Sequence, residues 1–137
     1  MGGSEWEYLQ DVFDTNWIAP VGPHISDFEK RLSEISWNYN IAALSSGTAA
    51  IHLALILLGV QQHDEVLCST FTFSATVNPI KYLNANPIFI DSEEDTWNMC
   101  PELLELAIKD RIAIHKKPKA ILVVHIYGMP ANMNRIM

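Results

Sequence analysis

The sequence predicts an α/β domain in which a mostly parallel sheet lies between helices. Three observations carry that prediction. After residue 40, short apolar runs alternate with helix-length stretches in the order β-α-β-α-β-α-β, the pattern of right-handed crossover units. The run Ala120-Ile121-Leu122-Val123-Val124-His125 is almost unbroken apolar, as strands covered on both faces of a parallel sheet are. The third observation is a strand–turn–helix signature: Ile41–Leu44, a small-residue turn at Ser45–Thr48, and the long apolar run Ile51–Leu58 that closes on Gly59.

The elements follow in order. Ser4 with Glu7 fits a capping box, and Trp6, Leu9, Val12 and Phe13 mark one face of a first helix ending near Thr15-Asn16. Trp17-Ile18-Ala19-Pro20-Val21-Gly22-Pro23 is neither helical nor alternating. Its prolines and glycine fix an extended, turning path, and it is too apolar for a free linker. It either packs on the domain's own core or walls a pocket or subunit contact. Pro23 opens a second helix with Ile25, Phe28, Leu32 and Ile35 on one face, and Trp37-Asn38-Tyr39-Asn40 leads to the first strand. Past Gly59, a polar turn over Gln61–Asp64 precedes the strand Glu65–Cys68. Phe73, Val77, Ile80 and Leu83 then give a stripe that places a helix start near Thr72, despite Pro79. Asn86–Asp91 is the third strand, Pro101–Ile108 an amphipathic helix, Ala120–His125 the fourth strand, and Ala131–Met137 the start of a further helix.

Composition narrows the function classes. A chain of 137 residues, 49% hydrophobic, suits one domain or a piece of a larger one. The 18% charged content is low for a free-standing domain and, with four Trp, points to apolar surface that meets something else. The net charge of −7 without a Lys/Arg stripe argues against a nucleic-acid or anionic-membrane partner. Lys116-Lys117-Pro118-Lys119, the basic cluster, reads as a solvated loop. Cys68 and Cys100 fit neither a disulfide framework nor a zinc pattern and read as reduced, buried small side chains. Met1-Gly2-Gly3-Ser4-Glu5 runs into charge rather than an apolar stretch, and Ala49–Val60 is too short to span a bilayer. A cytoplasmic location is the expectation.

In a parallel sheet, ligands bind beyond the carboxyl ends of the strands. The polar segments Ser45–Thr48, Ser69–Thr72, Asp91–Asp95 and His125–Gly128 would gather there. At Ser45–Thr48 the first-turn N–H groups, the helix dipole and nearby hydroxyls make an anion site suited to phosphate, although most such Ser and Thr residues serve only as caps. Phe73 could lay its face against a flat phosphorylated ring, or belong to the core stripe. The pairing suggests a planar phosphorylated cofactor.

At this point the chain resembles a known family. Ser46-Gly47-Thr48-Ala49-Ala50-Ile51-His52-Leu53-Ala54-Leu55, Asp64-Glu65-Val66, Thr72-Phe73-Ser74-Ala75-Thr76-Val77-Asn78, Pro87–Asp91 with Asp95-Thr96, and Val124–Met133 stand in the order and spacing of the DegT/DnrJ/EryC1/StrS nucleotide-sugar aminotransferases. The resemblance runs from about Gly2 to the last residue. Asn16–Pro23 is further similar to members that aminate C4 of a UDP- or dTDP-linked 4-keto-6-deoxyhexose with glutamate as donor, in surface polysaccharide or glycan biosynthesis. It implies the type I aminotransferase fold, with residues 1–40 a helical segment and substrate-side arm and residues 41–137 an incomplete first part of the large pyridoxal-phosphate domain. It also implies a homodimer with active sites at the subunit interface. Carried over, Gly47 and Thr48 hold the cofactor phosphate and Phe73 stacks on the pyridine ring. Trp17 and Ile18 help shape the sugar-nucleotide site, and His125 and Tyr127 line it or are structural. The family's Asp for the pyridine nitrogen and its Schiff-base Lys fall beyond Met137, and no metal is implied. None of Lys30, Lys81, Lys109, Lys116, Lys117 and Lys119 stands in the catalytic motif, so this stretch alone is expected to be inactive. Three other readings stay open: a same-family sugar dehydratase with His at the Lys position, a non-enzymatic phosphate-binding α/β module, and a pure interaction domain. The module reading lacks a G-x-G-x-x-G, a P-loop or an acidic residue placed for a ribose. The incomplete sheet is expected to leave an unpaired edge and apolar faces.

Overall fold

A computed structural model describes residues 2–37 and 39–137. Met1 of the opening segment and Asn38 of the connector into the first expected strand lie outside them. The chain divides into two compact units, Met1–Leu44 and Ser45–Met137.

The first unit holds helices α1 (Glu5–Asp14) and α2 (Pro23–Ile35). The Ser4–Glu7 capping box does not form. Ser4 sits in the right-handed helical region at φ −90° and makes no side-chain cap bond, because a capping side chain works from extended backbone. The Glu5 carboxylate takes over, accepting the N–H groups of Gly2 and of Gly3, the latter at 2.8 Å. α1 ends at Thr15 and Asn16, whose φ is +55°. α2 starts on Pro23 as expected, but no residue of either helix is fully buried. The apolar stripes therefore show without being sealed.

Ile41–Leu44 is not a strand. A strand needs a hydrogen-bonded neighbour, and here the Ala43 N–H goes instead to the Glu29 carboxylate at 2.8 Å.

The second unit opens with α3 (Gly47–Leu57) and continues through β1 (Glu65–Ser69), a 3₁₀ turn (Ser74–Thr76), α4 (Asn78–Tyr82), β2 (Asn86–Ile90), α5 (Pro101–Ala113), β3 (Ala120–Leu122), a second 3₁₀ turn (Ile126–Gly128) and α6 (Met133–Ile136). The sheet order is β2-β1-β3, with both pairings parallel. All five β1 residues are buried, as befits a central strand with helices on both faces. Val66 and Cys68 pack with Leu55, Val60, Ile80 and Ala85 on one face; Leu67 packs with Ile90, Met99 and Leu104 on the other. Burial of the Cys68 thiol pushes its pKa up to about 11. Cys100 departs from the expectation of burial: it is only half-buried, before the first turn of α5, and its Sγ donates to Glu102 at 3.3 Å.

Four other elements differ from expectation. No helix begins at Thr72, because Pro79 lacks an N–H and its ring would meet the carbonyl four residues back. The chain makes the 3₁₀ turn and then α4, which carries Pro79 in its first turn. β3 is three residues long, with Val123, Val124 and His125 outside the ladder; its partner β1 ends just beyond the paired residue Cys68. α5 runs on to Ala113, while the last helix is the single turn α6. Lys116–Lys119 is the expected exposed loop, with only Pro118 half-buried.

Candidate active site

Parallel pairing sets the carboxyl ends of β1, β2 and β3 on one edge, so the segments after Ser69, Ile90 and Leu122 leave the sheet together. Thr70 is pinned there: its N–H and its hydroxyl both donate to the Ile90 carbonyl, at 2.9 and 3.1 Å. The loop after β2 closes through Glu93 N–H to Asn98 O at 2.9 Å and Cys100 N–H to Asp91 O at 3.0 Å. Its turn is held by the Glu93 carboxylate, which accepts the Thr96 hydroxyl and the N–H groups of Thr96 and Asp95. The Thr96 hydroxyl, then its N–H, hold the Glu93 carboxyl below the usual carboxylate value.

Asn98, 2% exposed, joins two of these loops. Its Oδ1 accepts the Ile126 N–H at 3.0 Å, and its Nδ2 donates to Met129 O and Thr96 Oγ1, each at 3.0 Å. Three aromatic rings meet around this tie. The Phe71 centroid lies 6.0 Å from Trp97 and 6.3 Å from Tyr127. Trp97 and Tyr127 both have left-handed backbone, φ +63° and +50°.

The α3 terminus is built as a donor site. Ser46 is extended at φ −163°, and its Oγ accepts the Ala49 N–H at 3.1 Å. The Ser46 carbonyl accepts Ala50 N–H at 3.1 Å. The N–H groups of Gly47 and Thr48 have no acceptor among the described residues. A Cβ on Gly47 would find nothing within 4 Å, so the space beside its Cα is open. The terminus thus offers unpaired N–H groups and the positive end of an eleven-residue helix. That donor set fits a phosphate.

The residues singled out from the sequence fall out as follows. Gly47 and Thr48 form that terminus. Phe73 is not in a core stripe: it precedes the 3₁₀ turn in extended backbone and is 77% exposed. α3 packs against that turn. Tyr127 is 93% exposed in the aromatic group. The exposed His125 turns its Nδ1 to the Ala131 N–H at 2.9 Å, which fixes the loop leaving β3. Trp17 and Ile18 belong to the first unit. There the Trp17 indole N–H donates to Val21 O at 2.6 Å, and a cavity of about 240 Å³ is lined by Val12, Trp17, Ile18, Val21, Pro23 and Ile25 among others. Phe71, Trp97 and Asn98 were not assigned a role from the sequence. The interleaved aromatics of Ser69–Phe73 hinted at Phe71; the ties of Asn98 to Ile126 and Met129 leave no local mark, since those partners lie about thirty residues on. Among the described residues no cluster of His, Cys, Asp and Glu could hold a metal, and no helix is long and apolar enough to cross a membrane.

Comparison with known proteins adds the family. The model of the DegT/DnrJ/EryC1/StrS aminotransferase family matches residues 1–137. EpsN of Bacillus subtilis (strain 168), a candidate pyridoxal phosphate-dependent aminotransferase, is 50% identical over 99% of this chain and 35% of its own. GDP-perosamine synthase of Escherichia coli O157:H7 is 41% identical over 98% of this chain and 35% of its own. A DegT DnrJ EryC1 StrS aminotransferase from Brucella abortus superposes with a TM-score of 0.85 at 34% identity, covering 93% of this chain and 34% of that one. The chain spans about 35% of the length of these curated relatives. Its parallel sheet flanked by helices is part of the large domain of their fold. The chain belongs to the DegT/DnrJ/EryC1/StrS aminotransferase family.

Proposed function

We propose that this chain supplies the phosphate-holding part of a pyridoxal-phosphate-dependent aminotransferase acting on a nucleotide-linked sugar. The observation that carries the reading is the α3 terminus, with the N–H groups of Gly47 and Thr48 unpaired among the described residues and open space beside the Gly47 Cα. Gly47 leaves room for a phosphate to approach the backbone, and Thr48 adds a hydroxyl. Phe73 offers an exposed ring face for the pyridine. Trp17, Ile18, His125 and Tyr127 are assigned to the substrate side. Pyridoxal phosphate, when bound, supplies the electron sink on which an amino group is moved.

The finer assignment is a nucleotide-linked 4-keto-6-deoxy sugar as acceptor, glutamate as amino donor and a cytoplasmic homodimer, serving surface polysaccharide or glycan biosynthesis. The names of the relatives support the sugar class; the Asn16–Pro23 segment supports the ring position. Residues 1–40 act as the substrate-side arm and 41–137 as the first part of the cofactor domain. None of the lysines in this stretch stands in the family's catalytic motif, so the stretch binds but does not turn over.

Absorbance titration with pyridoxal phosphate, alongside pyridoxal without the phosphate, tests the reading. Saturable binding that requires the phosphate and weakens in Gly47→Val is the expected result. Equal affinity for both ligands, unchanged in Gly47→Val, contradicts it.

A further inference from the structure

We propose that Phe71, Trp97 and Tyr127 form an aromatic platform for the hexose ring of the nucleotide-linked substrate, with Asn98 as its positioning residue. The inference rests on the cofactor reading above and adds a subsite to it. Each ring comes from a different loop at the carboxyl edge of the sheet, and the centroid spacings of 6.0 and 6.3 Å make one contiguous group. A group of exposed aromatics from three loops holds together only if its loops are fixed, and all three are. Thr70 anchors the base of Phe71 to the end of β2. Thr96 and Asn98, on either side of Trp97, are tied to Glu93 and to the chain around Tyr127. The buried Asn98 amide spans the Trp97 and Tyr127 loops, so it sets their separation.

The backbone also points to use. Trp97 and Tyr127 occupy left-handed conformations that bulky side chains rarely adopt, and such strain persists where the surroundings impose it. The surroundings here are the Asn98 bonds. Both rings nonetheless remain mostly exposed, Trp97 at 63%.

The choice of occupant follows from chain geometry. Phe73 follows Phe71 by two positions, at most roughly 7 Å of extended backbone. If Phe73 lies against the cofactor ring, the platform borders the carbon that reacts. That position suits the sugar, because the diphosphate and ribose carry the base away. The apolar C–H face of a deoxyhexose matches the negative face of aromatic rings.

Calorimetric titration of the protein with GDP-mannose, GDP, dTDP-glucose and dTDP tests this. The ratio of sugar-nucleotide to bare-nucleotide affinity isolates the sugar ring. It is expected to exceed one for the preferred nucleotide, and to fall about three- to tenfold in Trp97→Ala and Tyr127→Ala, the scale of an aromatic contact. Trp97→Phe keeps a ring and is expected to retain the ratio, while Asn98→Ala lowers it with the far-ultraviolet circular dichroism unchanged. A ratio of one in the unmodified protein, a ratio unchanged in Trp97→Ala, or an equal loss of bare-nucleotide binding overturns the platform. Pyridoxal phosphate affinity, followed in parallel, reads the cofactor site separately. Its absence in the unmodified protein contradicts the cofactor reading, while the ratio decides the platform.

Discussion

Gly47 and Phe73 separate stability from binding at the level of single side chains. Neither is needed for packing: a Cβ at Gly47 meets open space, and the Phe73 ring is largely in solvent. Gly47→Ala is expected to leave stability unchanged or slightly raised, by up to about 1 kcal/mol, while weakening pyridoxal phosphate. Phe73→Ala is expected to stay within about 0.5 kcal/mol in urea denaturation, again with weaker cofactor binding. A large stability loss in Phe73→Ala contradicts the placement of its ring outside the core. The two cysteines make a third contrast. Buried Cys68, with its thiol pushed up to about 11, has little thiolate to react, whereas Cys100 is half-buried beside Glu102. A thiol reagent at mildly alkaline pH is expected to label Cys100 and to spare Cys68 until the protein unfolds, as peptide mapping would read out.

At the scale of elements, the loop after β2 shows how a few polar groups fix a turn. The Glu93 carboxyl is held below its ordinary value of 4.5, first by the Thr96 hydroxyl and then by the Thr96 N–H. A depressed folded-state pKa means the contribution is complete above the unfolded value and is lost as pH falls through the folded one. Thr96→Val is therefore expected to flatten the acid limb of stability against pH, measured by urea midpoints. An unchanged acid limb contradicts the role of the hydroxyl. The Trp17–Pro23 turn depends on a missing side chain. Gly22 has φ +152°, and a Cβ there would lie 2.2 Å from Trp17 Nε1. Gly22→Ala is expected to cost about 1–3 kcal/mol and to alter the near-ultraviolet signal of the turn. Helix starts on Pro23 and Pro101 were legible because proline acts locally. Pro79 was equally local, and its chemistry already argued against a helix running from Thr72.

Across the whole chain, what the sequence made legible was alternation and what it concealed was pairing. The parallel sheet followed from the alternation of short apolar runs with helix-length stretches and from the unbroken run Ala120–His125. The ladders themselves are non-local, so Ile41–Leu44 and Val123–His125 read as strand although among the described residues no strand pairs with them. The cofactor end of the site was legible because Gly47, Thr48 and Phe73 lie in short motifs. The Asn98 tie was not, because it joins segments about thirty residues apart. Large apolar side chains remain in solvent on both units, among them Trp6, Ile35 and Leu57, the last 79% exposed. Light scattering is expected to find species larger than a single chain; a clean monomer contradicts that.

The central claim is that this chain holds the phosphate end of the cofactor without a lysine placed for the chemistry at its other end. Pyridoxal phosphate titration followed by borohydride reduction and peptide mapping tests it most directly. The expected result is phosphate-dependent binding, weakened in Gly47→Val, with no single lysine labelled. A reducible covalent adduct at one defined lysine, accompanied by transamination, would contradict it.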